Sequence, residues 1–153
     1  MQLTDILSLS RISCDGQASS KKRVLEQFSD LIANDQTSLN RSEIFDSLLS
    51  RERLGSTGLG HGLAIPHGRV SNSERAIGAF IKLREGIDYD AVDHQPVDLL
   101  FALLVPEKST EEHLQLLALL AEMFSDAEVV EKLRHAHTTT ALYDAILEWQ
   151  ASR

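Results

Sequence analysis

Residues 97–105 read Val-Asp-Leu-Leu-Phe-Ala-Leu-Leu-Val, and this run decides the fold class. A segment almost free of polar side chains and closed by Pro106 is the pattern of a strand covered on both faces. A strand with one wet face would alternate polar and apolar residues instead. The run is far shorter than the ~20 apolar residues a membrane helix needs. A sheet covered on both faces requires helices on each side, and the neighbouring sequence supplies them.

Toward the C-terminus, Ser109 followed by Glu112 matches a capping box, and Leu114, Leu117, Ala118 and Ala121 then share one helix face. Ser125 and Glu128 open a shorter helix with Val129, Val130 and Leu133. A final helix carries Leu142, Ile146 and Trp149. Toward the N-terminus, Ile77, Ala79, Ile81 and Leu83 alternate with Gly78, Phe80 and Lys82 at strand period. Leu63-Ala64-Ile65 is a short strand halted by Pro66. Ser19-Ser20 cap a helix from about Lys21 to Ala33, with Val24, Leu25, Phe28, Leu31 and Ile32 at helical spacing. Asn40 and Glu43 form another capping-box pair; Ile44, Phe45, Leu48 and Leu49 give that helix its apolar face, and Gly55 its stop. Arg11 to Cys14 reads as a first strand ended by the Asp15-Gly16 turn signal. The whole predicts an α/β domain spanning 1–153, a mixed sheet flanked by helices.

Composition narrows the function. Fifteen Lys and Arg against 23 Asp and Glu give a net charge of −8. So acidic a chain repels nucleic acid and anionic membrane, and is compatible with a basic protein partner. The N-terminus lacks the basic-then-apolar order of a secretory leader, and Cys14 is the one cysteine. Both point to a reducing, cytoplasmic location, with Cys14 a small structural residue.

Five of the eight glycines fall within residues 54–69, LGSTGLGHGLAIPHGR. Glycines gathered this way serve a tight hairpin or a backbone that approaches an anion, with the Ser56 and Thr57 hydroxyls as donors. The stretch is not a Walker A loop, because the Gly-Lys-Ser/Thr ending is absent. His67 stands between Pro66 and Gly68. It is either a polar loop residue or a nucleophile, since a neutral imidazole has one lone-pair nitrogen free to attack. Arg51, in the last turn of the preceding helix, either complements that helix's C-terminal dipole or stabilises a transferring phosphoryl group. His113, early in the helix opened by Ser109, is either a surface histidine or a donor to a phosphoryl oxygen. His61, His94, His135 and His137 show no metal-ligand spacing, and a hydrolase built on His61, His67 and His113 lacks the usual motif.

Two segments resemble a known family. RERLGSTGLGHGLAIPHGR, from Arg51 to Arg69, is similar to the phosphorylation-site signature of the mannitol/fructose-type enzyme IIA proteins of the bacterial phosphotransferase system. AVDHQPVDLLFALLVPEKSTEEHLQLLALLAEMF, from Ala91 to Phe124, resembles the second motif, particularly in its nitrogen-related branch. The resemblance implies a mixed parallel and antiparallel sheet flanked by helices. It implies that His67 accepts phosphate from a phosphorylated HPr-type carrier (NPr in the nitrogen branch), that Arg51 belongs to an Arg-Glu pair, and that His113 is the second active-site histidine. It implies no metal or organic cofactor, and regulated partners such as potassium-transport regulators or sensor kinases. His61 departs from the asparagine frequent in relatives. A sugar-specific IIA that passes phosphate to a IIB domain of a permease is the alternative with the same chemistry.

Overall fold

The computed structural model describes residues 2–153. Two short 3-10 turns, Leu3–Asp5 and Leu9–Arg11, precede strand β1 (Ile12–Gly16). Helices α1 (Lys21–Asp35) and α2 (Arg41–Leu54) follow. Five strands come next: β2 (Gly58–Gly60), β3 (Leu63–Ala64), β4 (His67–Val70), β5 (Ile77–Ile87) and β6 (Val97–Pro106). Helices α3 (Glu111–Phe124), α4 (Ala127–His135) and α5 (Thr139–Ala151) complete the chain.

The sheet order is β1-β5-β6-β3-β2, with β4 also pairing β6. β5 runs antiparallel to β6, whereas β1 is parallel to β5, and β3 and β4 are parallel to β6. The sheet is therefore mixed, as expected, and β6 lies inside it with both faces covered. Leu99, Phe101, Leu103 and Val105 pack toward α3, α4 and α5. Leu100, Ala102 and Leu104 pack toward α1 and α2. Val97 sits on the second face, out of step with Leu99. The reason is a bulge: the N–H groups of Asp98 and Leu99 both donate to the Gly62 carbonyl. Phe80, Phe101 and Phe124 meet edge to face, with centroids 6.0 and 6.5 Å apart. Full burial of each such ring contributes about 1.5–3 kcal/mol.

Four local expectations change. The Asp15-Gly16 pair does not end β1 but lies within it. Asp15 takes a left-handed φ of 60°, and the register with β5 shifts between Ser13 and Gly16. The pair makes a bulge rather than a turn. Asn40 does cap α2 by accepting from the Glu43 N–H at 3.1 Å, but the Glu43 carboxylate turns outward to the N–H and hydroxyl of Ser71. Ser109 does not cap α3; the N-cap is Thr110, without a side-chain bond, because Ser109 belongs to the turn after Pro106. Ser125 closes α3 by donating to the Glu122 carbonyl, and Asp126 caps α4 instead.

Buried cations are held by carbonyls. Lys82 on β5 donates to Arg134 and Ala136 carbonyls at the end of α4, at 2.6 and 2.5 Å. Arg11 reaches the carbonyls of Gly78 and Ile6 and pairs with Asp35. That carboxylate, held by Gln36, Ser10 and Arg11, has its pKa drawn down to about 2. Cys14 is half-buried against the core, and burial pushes its thiol up. It fits the structural role expected of it.

Candidate functional site

The glycine-rich segment folds as a hairpin. Gly58 pairs with Ala64 and Gly60 with Leu63, and His61-Gly62 form the turn, with φ of 57° and 81°. Two successive left-handed residues define the tight turn that matches strand twist. The chain then passes Pro66 without losing register: Leu63, Ala64 and His67 face Leu99, Leu100 and Leu103 of β6. His67 thus begins a strand of its own, where a loop after β3 was expected. Pro66 has no N–H to give, but its carbonyl accepts from the Leu103 N–H at 2.9 Å and keeps the ladder intact.

Helix α2 locks against β4 next to this point. The Ser47 hydroxyl donates to the Arg69 carbonyl at 2.7 Å and accepts the Arg69 N–H at 2.8 Å. A Cβ on Gly68 would overlap Ser47, so the glycine allows the approach. One helical turn beyond Ser47, Arg51 arrives beside His67. The two line one recess of about 300 Å³, together with Ser56, Thr57, Leu59 and Leu117.

The two histidines meet across this site. The His67 and His113 rings stand edge to face, centroids 5.3 Å apart at 71°. His67 is half-buried, and its Nδ1 lies 2.8 Å from the Ile65 carbonyl oxygen. A carbonyl only accepts, so Nδ1 carries the proton and Nε2 keeps the lone pair. Burial lowers the His67 pKa, and the Arg51 charge adds to this, while the Ile65 bond and Glu52 oppose it. Burial also lowers the His113 pKa, with His67, Arg69 and Arg51 adding to the effect. Both rings are neutral near pH 7. His113 is almost fully buried, and its Nδ1 has no hydrogen-bond partner among the described residues.

Arg51 donates to the Gly55 carbonyl at 2.9 Å, which serves the helix end and leaves its other guanidinium N–H groups for a ligand. The Ser56 hydroxyl donates to the Tyr89 carbonyl at 2.9 Å, and the Thr57 hydroxyl donates to Glu52. Both residues line the recess, with their hydroxyl protons engaged by the protein. In the sequence Glu52 stands out only as half of the Arg-Glu pair that the resemblance implies, and Tyr89 and Lys21 carry no motif. Glu52 is 6% exposed although charged; it falls one turn beyond Leu48 and two beyond Ile44, so helical spacing sets it on the buried face of α2 and supplies the signal in the sequence. His61 does not join the two site histidines. Its N–H donates to Asp93 at 2.8 Å, and it lines a separate recess with Asp98 and Arg134. The three-histidine metal arrangement is therefore not assembled.

Residues 5–149 match the family model of the phosphoenolpyruvate-dependent sugar phosphotransferase system, EIIA 2. The chain belongs to this EIIA 2 family. Among curated relatives, a nitrogen regulatory protein of Pseudomonas aeruginosa is 46% identical over 150 residues, 98% of this chain and 97% of that protein. The crystal structure of nitrogen regulatory protein IIA-Ntr from Neisseria meningitidis superposes with a TM-score of 0.87 at 44% identity. The match covers 93% of this chain and 97% of that one. The IIA mannitol structure from Escherichia coli shares the fold, with a TM-score of 0.76 at 20% identity over 92% of this chain and 98% of that one. Among the described residues, no helix is long and apolar enough to cross a membrane.

Proposed function

We propose that this EIIA 2 protein accepts a phosphoryl group on His67 Nε2 from a phosphorylated HPr-type carrier, NPr in the nitrogen branch. It then acts in the cytoplasm as a phosphorylation-dependent regulator. The observation that carries this reading is the bond from His67 Nδ1 to the Ile65 carbonyl, which leaves Nε2 as the only nucleophilic ring atom beside Arg51 and His113. The Nε2 lone pair forms the new N–P bond as the donor's N–P bond breaks, and that electron pair returns to the donor imidazole. Arg51 and an N–H of His113 hold the phosphoryl oxygens, whose charge is spread over three atoms. Ser56 and Thr57 support the phosphate site by fixing the loop that walls it. Catalysis is chiefly positioning and charge stabilisation. Exposed Leu59 and Leu114 give the carrier apolar surface beside the two histidines.

The charge added at His67 is the signal, able to favour some targets and repel others. Potassium-transport regulators and sensor kinases are the target classes proposed. The name of the 46% identical Pseudomonas aeruginosa relative favours regulation over handing phosphate to a IIB domain. The test is transfer from enzyme I and an HPr-type carrier to the wild type and to His67→Ala. Acid-labile, base-stable label on the wild type alone supports the reading. An unlabelled wild type with a competent donor overturns it.

A further inference from the structure

Behind His67 lies a buried polar cluster that the transfer chemistry above does not use. Glu52, next to Arg51 in the last turn of α2, is surrounded by donors. Its carboxylate accepts the Tyr89 hydroxyl at 2.9 Å, the Thr57 N–H at 3.2 Å and the Thr57 hydroxyl. Lys21, the first residue of α1, pairs with it at 3.1 Å and lies 4.6 Å from the centre of the Tyr89 ring. Tyr89 is fully buried in the segment after β5, and burial with the adjacent Glu52 charge pushes its hydroxyl pKa far up, so it stays a donor.

The cluster connects to the reacting ring through backbone. Glu52 fixes the Thr57 N–H; the Thr57 carbonyl accepts the Ile65 N–H at 3.1 Å; and the Ile65 carbonyl accepts His67 Nδ1–H at 2.8 Å. Each link sets where the next acceptor stands. A free neutral imidazole favours the proton on Nε2, the nitrogen that must be bare here. The protein therefore has to hold the Ile65 carbonyl firmly against Nδ1. A buried carboxylate left without its partners would be costly, which gives Lys21 and Tyr89 their weight.

We infer that Tyr89 and Lys21, acting through Glu52, are positioning residues that keep His67 in its Nδ1–H tautomer. This rests on His67 being the phosphoacceptor, but the tautomer itself is read without any carrier. The charged groups facing the two rings are Arg51 and Glu52 from α2 and Arg69 from β4, with His113 from α3 the other titratable neighbour.

The experiment is long-range proton–nitrogen spectroscopy of the histidine rings in wild type, Tyr89→Phe, Glu52→Gln, Lys21→Met and Lys21→Arg. Circular dichroism of each variant serves as the folding control, and single-turnover transfer from a phosphorylated HPr-type carrier is measured in parallel. The wild type is expected in the Nδ1–H form. Tyr89→Phe, Glu52→Gln and Lys21→Met are expected to populate the Nε2–H form, to lower the His67 titration midpoint where the Glu52 charge is removed, and to slow transfer about tenfold. Lys21→Arg should restore the wild-type tautomer. If Glu52→Gln does not fold, Tyr89→Phe decides, since it removes one oxygen and leaves the ring in place. Folded Tyr89→Phe and Lys21→Met proteins with the wild-type tautomer and rate would overturn the inference. A tautomer shift in a protein whose wild type takes no label would instead sink the phosphoacceptor reading and leave the positioning intact.

Discussion

His67 Nδ1 and the carbonyl oxygen of Ile65 are 2.8 Å apart, although only Pro66 separates the two residues in the chain. Pro66 between them lets the chain turn that carbonyl toward the ring while its own carbonyl stays in the ladder with β6. The acceptor that selects the tautomer therefore lies in the two-residue link between β3 and β4, directly before the nucleophile.

Acid should affect transfer and stability in the same direction. The His67 and His113 pKa values lie below the ordinary histidine value of 6.5, chiefly through burial, so the neutral form of each still predominates at that pH. Transfer is expected to fall toward acid with a midpoint below 6.5, as His67 takes a proton on Nε2. The unfolded chain binds these protons first, so stability is greatest above 6.5 and declines as pH drops below it. A rate profile with a midpoint above 6.5 would contradict the neutral, buried pair.

Arg51→Lys keeps the charge but loses the planar fork. Transfer should fall by about 10² if the guanidinium holds the phosphoryl oxygens. Thermal stability should change little, since the bond to Gly55 lies at an exposed helix end. Equal transfer by the lysine variant would assign Arg51 to helix capping alone.

Gly68→Ala should destabilise the protein by about 1–3 kcal/mol, because the new methyl meets the Ser47 side chain and backbone. It should also slow transfer, as α2 is pushed from β4 and Arg51 moves with it. Denaturant melts of the single variant and of its combination with Ser47→Gly provide the check; the second change should recover part of the loss.

His61→Asn is expected to stabilise by about 0.5 kcal/mol with transfer unchanged. The residue occupies a left-handed turn position, φ 57°, which asparagine adopts more readily. Its bonds to Asp93 and Arg134 are made by backbone atoms and survive the change. A loss of transfer would show that the His61 ring takes part in docking the carrier.

The layers of this protein are legible in its residue pattern. Val97 to Val105 reads as an inner strand, because such a run has almost no face to show water, and the segments of 3.6-residue spacing before and after the strands supply the helices that cover it. The sequence also marked His67, Arg51 and His113 as candidates through residue type and motif. It misread the ends of elements where a neighbour competes for the same atoms. Ser125 donates back to α3, Ser109 belongs to the turn after Pro106, and Asp15-Gly16 bulges within β1. Which side chains meet follows from the packed fold. His113 lies far along the chain from His67, yet their rings touch because β4 runs parallel to β6 and α3 follows directly from β6. Lys21, Glu52 and Tyr89 come from three separate segments and share one carboxylate. Periodicity records which side of an element is dry, a local property of the chain. Convergence depends on strand register and on the path of each connection, which only the packed whole fixes.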